Sequence, residues 1–509
     1  MKKLGYIFFT GIVLAGFSAK SQVVDGAVGY YNDALIFSQT SSTYGSTARM
    51  QGFGGTQTSL GADMSSAGSN PAGLGFFNRS VFSFTPSINL HTADATYLGS
   101  TISTYKNNFN FANMGVVFNT NKGDFTSEKF KGGSFAISLN RTNDFNDEIT
   151  YQGRNGNNSI IDSFLAEAGS TSTNNLSGYA LSAYENYLIN PVYDDEENVI
   201  GYDSFVLGFP QQSETITRSG SQYDLNFSWG GNYNDMVYFG AGLGFVTLNY
   251  STRKIYTEEQ FLYEDDEGNT QVDDWISYTK IRDDLAINGS GVKGSLGLIV
   301  RPINILTLGV SYNTPTYYSL DEESEFRHDT QWNDVELDDG TILNDRNFTS
   351  DLFISQYNLK SPGKLSAGAS VFLNKLGFIS ADVELVDYRR SQLKTSDFNV
   401  TADNQTIDGL YGRTINYRAG AEFRLDKLRL RAGYAYFGDP YKGTENFDRS
   451  GQNITGGVGF RSQDFFIDLA VVNRRQKEVF APYYVEQNQP EADVLSKSTT
   501  ISTTIGFNF

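Results

Sequence analysis

The stretch "KLRLRAGYAYF", residues 427–437, alternates apolar and polar side chains along its whole length. One face carries leucine, alanine and tyrosine at the even positions from 428 to 436. The other face carries Lys427, Arg429 and Arg431, followed by small residues. A repeat of two residues is that of a β-strand, because successive side chains point to opposite faces. The stretch therefore predicts a strand with one apolar and one polar face.

The same pattern recurs along the chain and ends at its last residue. The run "TTISTTIGFNF", residues 499–509, alternates in the same way and closes on an aromatic side chain. Between such runs, short turns such as "NKLG" and "LDK" alternate with long loops, which is typical of membrane β-barrels. We therefore predict an all-β fold, a transmembrane antiparallel β-barrel of about 14 strands, with the short turns periplasmic. A soluble β-repeat protein remains the alternative, since its strands would also alternate.

Two details of this strand map are expectations for the structure. The first strand is expected over residues 80–90, followed by an irregular stretch to residue 108. Acidic clusters at residues 194–197, 264–267, 321–323 and 338–339 are expected at solvated loop tips. A Ca²⁺ site is the alternative, although none of the clusters has the spaced acidic pattern of a calcium loop.

The first 21 residues have the pattern of a secretory signal peptide. A charged "MKK" precedes a short apolar run and an Ala-x-Ser cleavage pattern. No other run reaches the roughly 18 apolar residues of a membrane-spanning helix. The expected location is therefore the cell outer membrane, because a barrel is the other structure that can span a bilayer.

Composition argues against several function classes. The net charge of −19 opposes nucleic-acid binding, which needs basic surface. The chain has no cysteine and only two histidines, His91 and His328, so we expect no enzyme activity, no metal site and no cofactor.

The longest insertion, residues 142–210, is predicted to be an extracellular loop with two short amphipathic helices. The apolar stripes include Ile161, Phe164, Leu165 and Ala168 in the first helix, and Tyr184 and Tyr187 in the second. These side chains either pack on the barrel rim or form an apolar groove that captures a ligand.

A second stretch carries a family resemblance. Residues 45–77, "GSTARMQGFGGTQTSLGADMSSAGSNPAGLGFF", combine small residues, an Ala-Asp turn and an Asn-Pro-Ala triplet before the first strand. This segment resembles the N-terminal part of the FadL/TodX family of outer-membrane transporters for fatty acids and hydrophobic compounds. "YNTPTYYSL" at 312–320, "SPGKLSAGASVF" at 361–372 and residues 415–441 extend the resemblance over the mature chain.

The resemblance implies a barrel, residues 79–509, plugged by an N-terminal hatch, residues 22–78. The hatch or gate residues are then Asn70, Pro71, Ala72 and Gly73, and the groove near the loop helices becomes the favoured interpretation. The implied function is passive uptake of long-chain fatty acids or other hydrophobic compounds with lateral release. The expected partners are such compounds, outer-membrane lipid and the barrel assembly machinery, and the expected state is a monomer. The alternative is a non-transporting barrel that serves a secretion machinery or a surface scaffold.

A fatty-acid carboxylate needs basic side chains in the lumen. Strand parity places Lys293, Arg418, Arg424, Arg429 and Arg431 there, together with the carboxylates Asp382, Glu384 and Glu422. These groups either bind the ligand or form a salt-bridged ladder that pins the hatch, and buried charges are usually paired.

Overall fold

The structure is a computed structural model that describes residues 29–39, 45–120, 122, 128–265, 267–337, 339–443 and 447–509. The predicted signal peptide, residues 1–21, and the beginning of the predicted 22–78 segment lie outside the described residues. Within these ranges, no helix has both the length and the hydropathy to span a bilayer.

Strands dominate the described chain, and the helices are short. The helices are α1 Tyr31–Ile36, α2 Ala48–Gly52, α3 Ile160–Ala168, α4 Gly178–Glu185 and α5 Thr401–Leu410. The strands are β1 Val81–Tyr97, β2 Ser100–Asn119, β3 Phe130–Asp144, β4 Asp147–Arg154, β5 Asn190–Tyr193, β6 Val199–Asp203, β7 Phe209–Tyr233, β8 Val237–Glu264, β9 Thr270–Val272, β10 Ile276–Ile303, β11 Leu306–Asn313, β12 Tyr317–Trp332, β13 Val335–Glu336, β14 Ile342–Leu343, β15 Arg346–Thr349, β16 Phe353–Lys360, β17 Lys364–Phe372, β18 Gly377–Asp387, β19 Gln392–Lys394, β20 Arg413–Leu425, β21 Leu428–Phe437, β22 Gly451–Arg461, β23 Phe465–Phe480 and β24 Ala492–Asn508.

The main sheet closes into a barrel because β1 pairs with β2 on one side and with β24 on the other. Neighbouring strands around the ring are antiparallel. Fourteen strands complete the ring when β3 with β4, β11 with β12, and β16 with β17 each count as one interrupted strand. The predicted antiparallel barrel of about 14 strands is confirmed.

The outer surface of the barrel carries an apolar belt, and the lumen is polar. On β21, Leu430 and Tyr434 are exposed, whereas Arg431 is buried. On β24, Phe507 is exposed and Thr504 is fully buried. This arrangement is typical of membrane barrels, in which apolar side chains face lipid. The faces predicted for residues 427–437 and 499–509 are therefore confirmed.

The first hairpin differs from the sequence prediction. The expected irregular stretch to residue 108 is wrong, because β1 and β2 are continuous strands joined by Leu98 and Gly99. Both turn residues have positive φ, 46° and 82°, which suits a two-residue hairpin turn. Beyond residue 90 the outer face of β1 is polar, and its inward apolar residues are the small Ala93 and Ala95 followed by Tyr97. The apolar repeat that marks a strand is therefore weak there.

Several strands continue far past the apolar belt at the end that carries the long connections, here called the loop end. β8 and β10 each have 28 residues, whereas about 9–11 suffice to cross a bilayer. The acidic cluster at 321–323 lies inside β12, so its predicted place at a loop tip is wrong. Glu322 faces inward and is buried there, while Asp321 and Glu323 are exposed on the outer face.

The acidic cluster at residues 194–197 does lie at a hairpin tip. The carboxylate of Asp194 accepts the backbone N–H groups of Glu196, at 2.8 Å, and Asn198, at 2.9 Å. These hydrogen bonds lower the pKa of Asp194 below its ordinary value. Asp265 has the equivalent bonds from Glu267 and Asn269 in the next loop. Asp266 and Asp338, two members of the predicted clusters, lie outside the described residues.

Candidate transport path

Strand β8 spans the lumen from end to end and shows what fills each level. Near its start, Tyr238 packs with Ala72 and Phe76. In the middle, Tyr250 belongs to the cluster around α1. Near its end, Tyr256 belongs to the cluster around α3 and α4. Three layers therefore lie along the barrel axis: residues 45–77, then α1, then the loop helices.

Residues 45–77, here called the N-terminal segment, are bonded to strands around the ring. Ala48 N–H donates to Thr504 of β24 at 2.7 Å, and Thr455 of β22 donates to the Gly52 carbonyl at 3.1 Å. On other sides of the ring the bonds reach Ser228 of β7, Thr307 of β11 and Asp382 of β18. The segment is thus anchored to several strands at one level of the lumen.

The predicted gate residues Asn70, Pro71, Ala72 and Gly73 begin a short 3₁₀ helix, Pro71–Phe76, within this segment. The Asn70 Oδ1 accepts the Ala72 N–H at 3.1 Å and caps the helix, while its Nδ2 donates to the Thr58 carbonyl at 2.6 Å. Asn70, Ala72 and Gly73 are buried against the barrel wall. The triplet therefore ties two parts of the segment together.

Glycines make room for this segment on the barrel wall. A Cβ atom added to any of six inward-facing glycines would collide with the backbone or side chains of residues 53–72. These are Gly230, Gly240, Gly297, Gly309, Gly420 and Gly433, on β7, β8, β10, β11, β20 and β21. The backbone of the segment lies where side chains of the wall would otherwise stand.

A buried charge network joins α2 to the wall. Arg49 lies 3.6 Å from both Asp63 and Glu422. Arg431 donates to Glu422 at 2.9 Å and to Asp468 at 2.7 Å. The Arg431 side chain is fully buried, so its charge depends on these carboxylates.

The other predicted lumenal cations also have acceptors. Lys293 pairs with Asp224, and Arg418 pairs with Glu384 at 2.8 Å. Arg424 pairs with Glu422 at 3.0 Å. Arg429 donates to the carbonyls of Asp426 and Leu428 at the end of the barrel that carries the short turns, here called the turn end. These contacts agree with a salt-bridged ladder, and direct ligand binding by the same residues stays a prediction.

The middle layer is an apolar cluster built around α1. Ala34, Leu35 and Phe37 pack among inward-facing tyrosines and leucines of β8, β12 and β16. Phe37 meets Phe145 and Tyr250 edge to face, with ring centroids 6.0 and 5.7 Å away. The Asp33 carboxylate accepts the Tyr357 hydroxyl at 2.7 Å. This layer is the apolar part of the lumen.

The helices α3 and α4 form the top layer. Ile161, Phe164 and Ala168 are buried, and Leu165, Tyr184 and Tyr187 are partly buried, in a cluster with Tyr256, Ile281 and Trp332. The pairing of β4 and β7 narrows the predicted loop 142–210 to residues 155–208. The parts of β8, β10 and β12 that continue past the apolar belt are here called the strand extensions. Packing on them accounts for the buried side chains, and a ligand groove at these residues stays a prediction.

His328 holds α4 against the strand extensions beyond the belt. Its Nδ1 lies 2.8 Å from the Ser182 hydroxyl of α4, and its Nε2 lies 2.8 Å from the Thr279 hydroxyl of β10. The ring is fully buried beside Phe164. Burial lowers the pKa of His328 to about 3, against the opposing influence of the Asp329 carboxylate. The imidazole is therefore neutral at pH 7.

The barrel wall has a gap between β2 and β3. Their ladder runs from the pair Asn119 and Ser134 to the pair Asn113 and Asn140. Beyond it, within the described residues, no ladder pair joins 100–112 of β2 to β3 or β4. Over this length β2 pairs with β1 alone, while β3 and β4 pair with β7.

The gap lies within the apolar belt and beside the α1 cluster. Phe109 and Phe111 of β2 are exposed on the outer surface along it. The break between β3 and β4 falls at Phe145, which packs against Phe37. The neighbouring Asn143 donates to the Ile36 carbonyl at 3.2 Å. The gap thus lies between the apolar layer of the lumen and the exposed Phe109 and Phe111 of the outer surface.

Side chains rather than backbone bridge this gap. Asn108 Nδ2 of β2 donates to the Asp144 carboxylate at 3.1 Å. Lys106 Nζ donates to the carbonyls of Asp147 and Arg218 at 3.3 and 3.2 Å. At the loop end of the gap, Ile149 and Tyr151 of β4 also pack with Ala93, Ala95 and Tyr97 of β1. Within the belt, a few side-chain hydrogen bonds are more easily broken than a continuous ladder.

Solved structures of membrane transporters have similar architecture. The Pseudomonas putida toluene transporter TodX matches with a TM-score of 0.51 and 13% identity, covering 92% of this chain and 99% of that one. The Ralstonia pickettii toluene transporter TbuX matches with a TM-score of 0.51 and 14% identity, covering 92% and 99%. A Pseudomonas aeruginosa FadL homologue matches with a TM-score of 0.52 and 13% identity, covering 91% and 98%.

The chain has the FadL-type fold. No protein-family model matches the sequence, and no curated protein matches it. At this low identity the similarity establishes the fold and not the ligand.

The sequence prediction missed two features of the path. The six inward-facing glycines that contact the N-terminal segment are here called the glycine wall. They have a sequence signal, since glycines recur at inward positions in "FGAGLGF", "GSLGL" and "TLGVS". The gap has only an indirect signal. A β-bulge at Ala112 lies opposite Thr85 and Pro86, and the ladder to β3 ends beside it, at Asn113.

Proposed function

We propose that the chain is an outer-membrane channel for passive uptake of hydrophobic compounds, among them long-chain fatty acids, with release sideways through the gap. The observation that carries the proposal is the gap itself, which lies beside the apolar cluster around α1 and within the apolar belt. The FadL-type fold supports the same function, because similar structures are those of toluene transporters.

In this proposal the N-terminal segment is the hatch. Its bonds to strands around the ring and its fit into the glycine wall support a role in blocking the direct path to the turn end. An apolar ligand then has reason to leave sideways, since each CH₂ group gains about 0.8 kcal/mol by staying out of water. No energy-coupling group is required for such downhill movement.

A reversible cross-link across the gap tests the proposal. The chain contains no cysteine, so Asn108→Cys with Asp144→Cys introduces the only thiol pair. A short bifunctional methanethiosulfonate reagent then joins β2 to β3. In a deletion strain that expresses this variant, we expect uptake of labelled oleate and toluene to fall about tenfold, equivalent to roughly 1.4 kcal/mol. A reductant should restore uptake.

The control places the same reagent across an intact ladder. Asn473 of β23 donates to Thr499 of β24 at 3.1 Å, so Asn473→Cys with Thr499→Cys joins strands that are already paired. This cross-link should leave uptake unchanged. Full uptake through a cross-linked gap would reject lateral release. Absence of uptake in the unmodified protein, for a broad panel of hydrophobic compounds, would instead favour the non-transporting scaffold.

A further inference from the structure

One end of the gap lies at the edge of the apolar belt. His91 of β1 and Lys106 of β2 form a ladder pair there. The next residue on β2, Tyr105, is 71% exposed on the outer surface, and Leu90 of β1 is also exposed. Further toward the loop end, the outward face of β1 continues with Thr92 and Asp94. Lys106 is therefore at the depth where the head group of an amphiphile meets water.

Buried polar atoms without a hydrogen-bond partner are concentrated along this gap. The described residues include seven of them on β1, β2 and β3, and five of the seven lie along the gap or at its turn end: His91 Nδ1, Thr104 Oγ1, Asn108 Oδ1, Asn113 Oδ1 and Arg141 Nη1. Buried polar groups in folded proteins nearly always have a partner. These atoms are therefore able to hydrogen-bond to water or to a ligand head group that enters the gap.

Lys106 places an ammonium at the gap, and its hydrogen bonds within the described residues go to carbonyl oxygens rather than to a carboxylate. In the part of the chain that the structure describes, its recorded acceptors are the two carbonyls of Asp147 and Arg218. The nearby carboxylates are already engaged: Asp147 pairs with Arg218 at 2.6 Å, and Asp144 pairs with Arg141 at 2.7 Å. Arg218 also pairs with Glu478 at 3.1 Å, so the charges around it balance. What the gap offers an incoming group is an ammonium whose own acceptors are neutral carbonyls.

We propose that Lys106 selects ligands by head-group charge as they pass the gap. The ammonium binds the carboxylate of a long-chain amphiphile while the tail passes between β2 and β3 on the belt side. A charge-assisted hydrogen bond of this kind is roughly twice as strong as a neutral one. The Thr104 hydroxyl, two residues away on the same face, supplies a further donor. A neutral hydrocarbon gains nothing from either group. This inference rests on the proposed function.

Uptake of oleate and of its methyl ester, measured side by side, tests the selection. Lys106→Met removes the charge and keeps the length of the side chain, and Lys106→Arg keeps the charge. Lys497→Met is the matched control, because Lys497 lies at a similar depth on β24 and is ion-paired with Asp94 away from the gap. We expect Lys106→Met to lower oleate uptake about tenfold, or roughly 1.4 kcal/mol, and to leave methyl oleate unchanged. Lys106→Arg and Lys497→Met should retain oleate uptake.

Equal losses for oleate and methyl oleate in Lys106→Met would overturn the selection by charge, as would unchanged oleate uptake. Heat-modifiable gel mobility shows whether each variant is a folded barrel, so a folding defect is recognised separately. Mass spectrometry of lipids that copurify with each variant distinguishes a resident anionic lipid from a ligand in transit. Loss of such a lipid with unchanged oleate uptake counts against Lys106 as a transport residue. If the unmodified protein takes up neither compound, the proposed function fails instead.

Discussion

At the scale of single residues, small side chains matter because of what lies against them. Gly309 of β11 is unremarkable in sequence, yet a Cβ there would collide with the Thr58 carbonyl of the N-terminal segment. Asn70 likewise acts through two hydrogen bonds, one that caps its own helix and one to Thr58. The N-terminal segment thus fits against the barrel wall because the wall glycines lack side chains as well as because of its hydrogen bonds.

Replacing Gly309 with valine tests this fit. We expect the N-terminal segment to shift away from β11, at a cost of roughly 1–3 kcal/mol, because overpacking forces the backbone to move. Protease sensitivity of residues 45–77 and entry of a large hydrophilic antibiotic should both increase. Gly456→Val is the control, since the nearest atom to a Cβ there is the Arg431 carbonyl at 3.9 Å. Identical behaviour of the two variants would show that the glycine wall does not position the segment.

At the scale of elements, pairing determines what a strand does. β2 is one strand with a β-bulge at Ala112, and it has two neighbours on the turn side of the bulge and one along the gap. The loop helices show the same principle, because α4 is held on the strand extensions by His328 as well as by apolar packing. The positions of β2 and α4 are therefore determined by contacts with residues that are distant in sequence.

Acid should release α4 from the strand extensions. The pKa of His328 is lowered to about 3 in the structure, below the ordinary value near 6.5, so the undocked form binds a proton more readily. Neutral His328 therefore stabilises the docked position of α4 fully above about pH 6.5. This stabilisation is lost as the pH falls toward 3, at about 1.4 kcal/mol per pH unit. We expect amide hydrogen exchange in α4, corrected for intrinsic rates, to rise between pH 7 and pH 4.

His328→Gln provides the control for this prediction. Glutamine retains hydrogen-bonding capacity near Ser182 and Thr279 and does not titrate. Exchange in α4 should then be nearly independent of pH over the same range. A rise of the same size in both proteins would assign the effect to another group.

At the scale of the whole molecule, the lumen is filled in three layers and the wall opens beside the middle one. Residues 45–77 lie at the turn end, α1 lies in the middle, and α3 with α4 lie at the loop end. A straight path through the barrel meets all three layers. The gap beside α1 meets the N-terminal segment at its turn end, where Gly45 and Gly68 lie against Asn140 and Arg141 of β3. It avoids the straight path through all three layers, which is why lateral release is the route we propose.

Asn70→Ala with Pro71→Ala tests whether the segment and the path act together. Loss of the Asn70 cap costs about 1 kcal/mol, and loss of its bond to Thr58 loosens the segment further. We expect oleate uptake to fall while heat-modifiable mobility shows a normally assembled barrel. Ser69→Ala, which loses one hydrogen bond to the Ser65 carbonyl, serves as the control. Normal uptake by the double variant would argue against a gating role for the triplet.

Much of the barrel was predictable because its signal is local. The two-residue repeat in residues 427–437 correctly assigned Arg431 to the lumen and Leu430 to lipid. The same rule failed for residues 91–108, where the outer face is polar beyond the belt and the inward apolar residues of β1 are mostly small. It also failed for Glu322, whose acidic neighbours suggested a loop although the strand continues through them.

The sequence by itself determined the strand period, the number of strands and which face of each strand meets lipid. These properties follow from side chains a few residues apart, since a strand places alternate residues on opposite faces. Only the tertiary structure decided where the β2 and β3 ladder stops, which glycines meet the N-terminal segment and that Lys106 faces the gap. Those features depend on which distant backbone lies beside each residue, and that information is not contained in any single stretch of the chain.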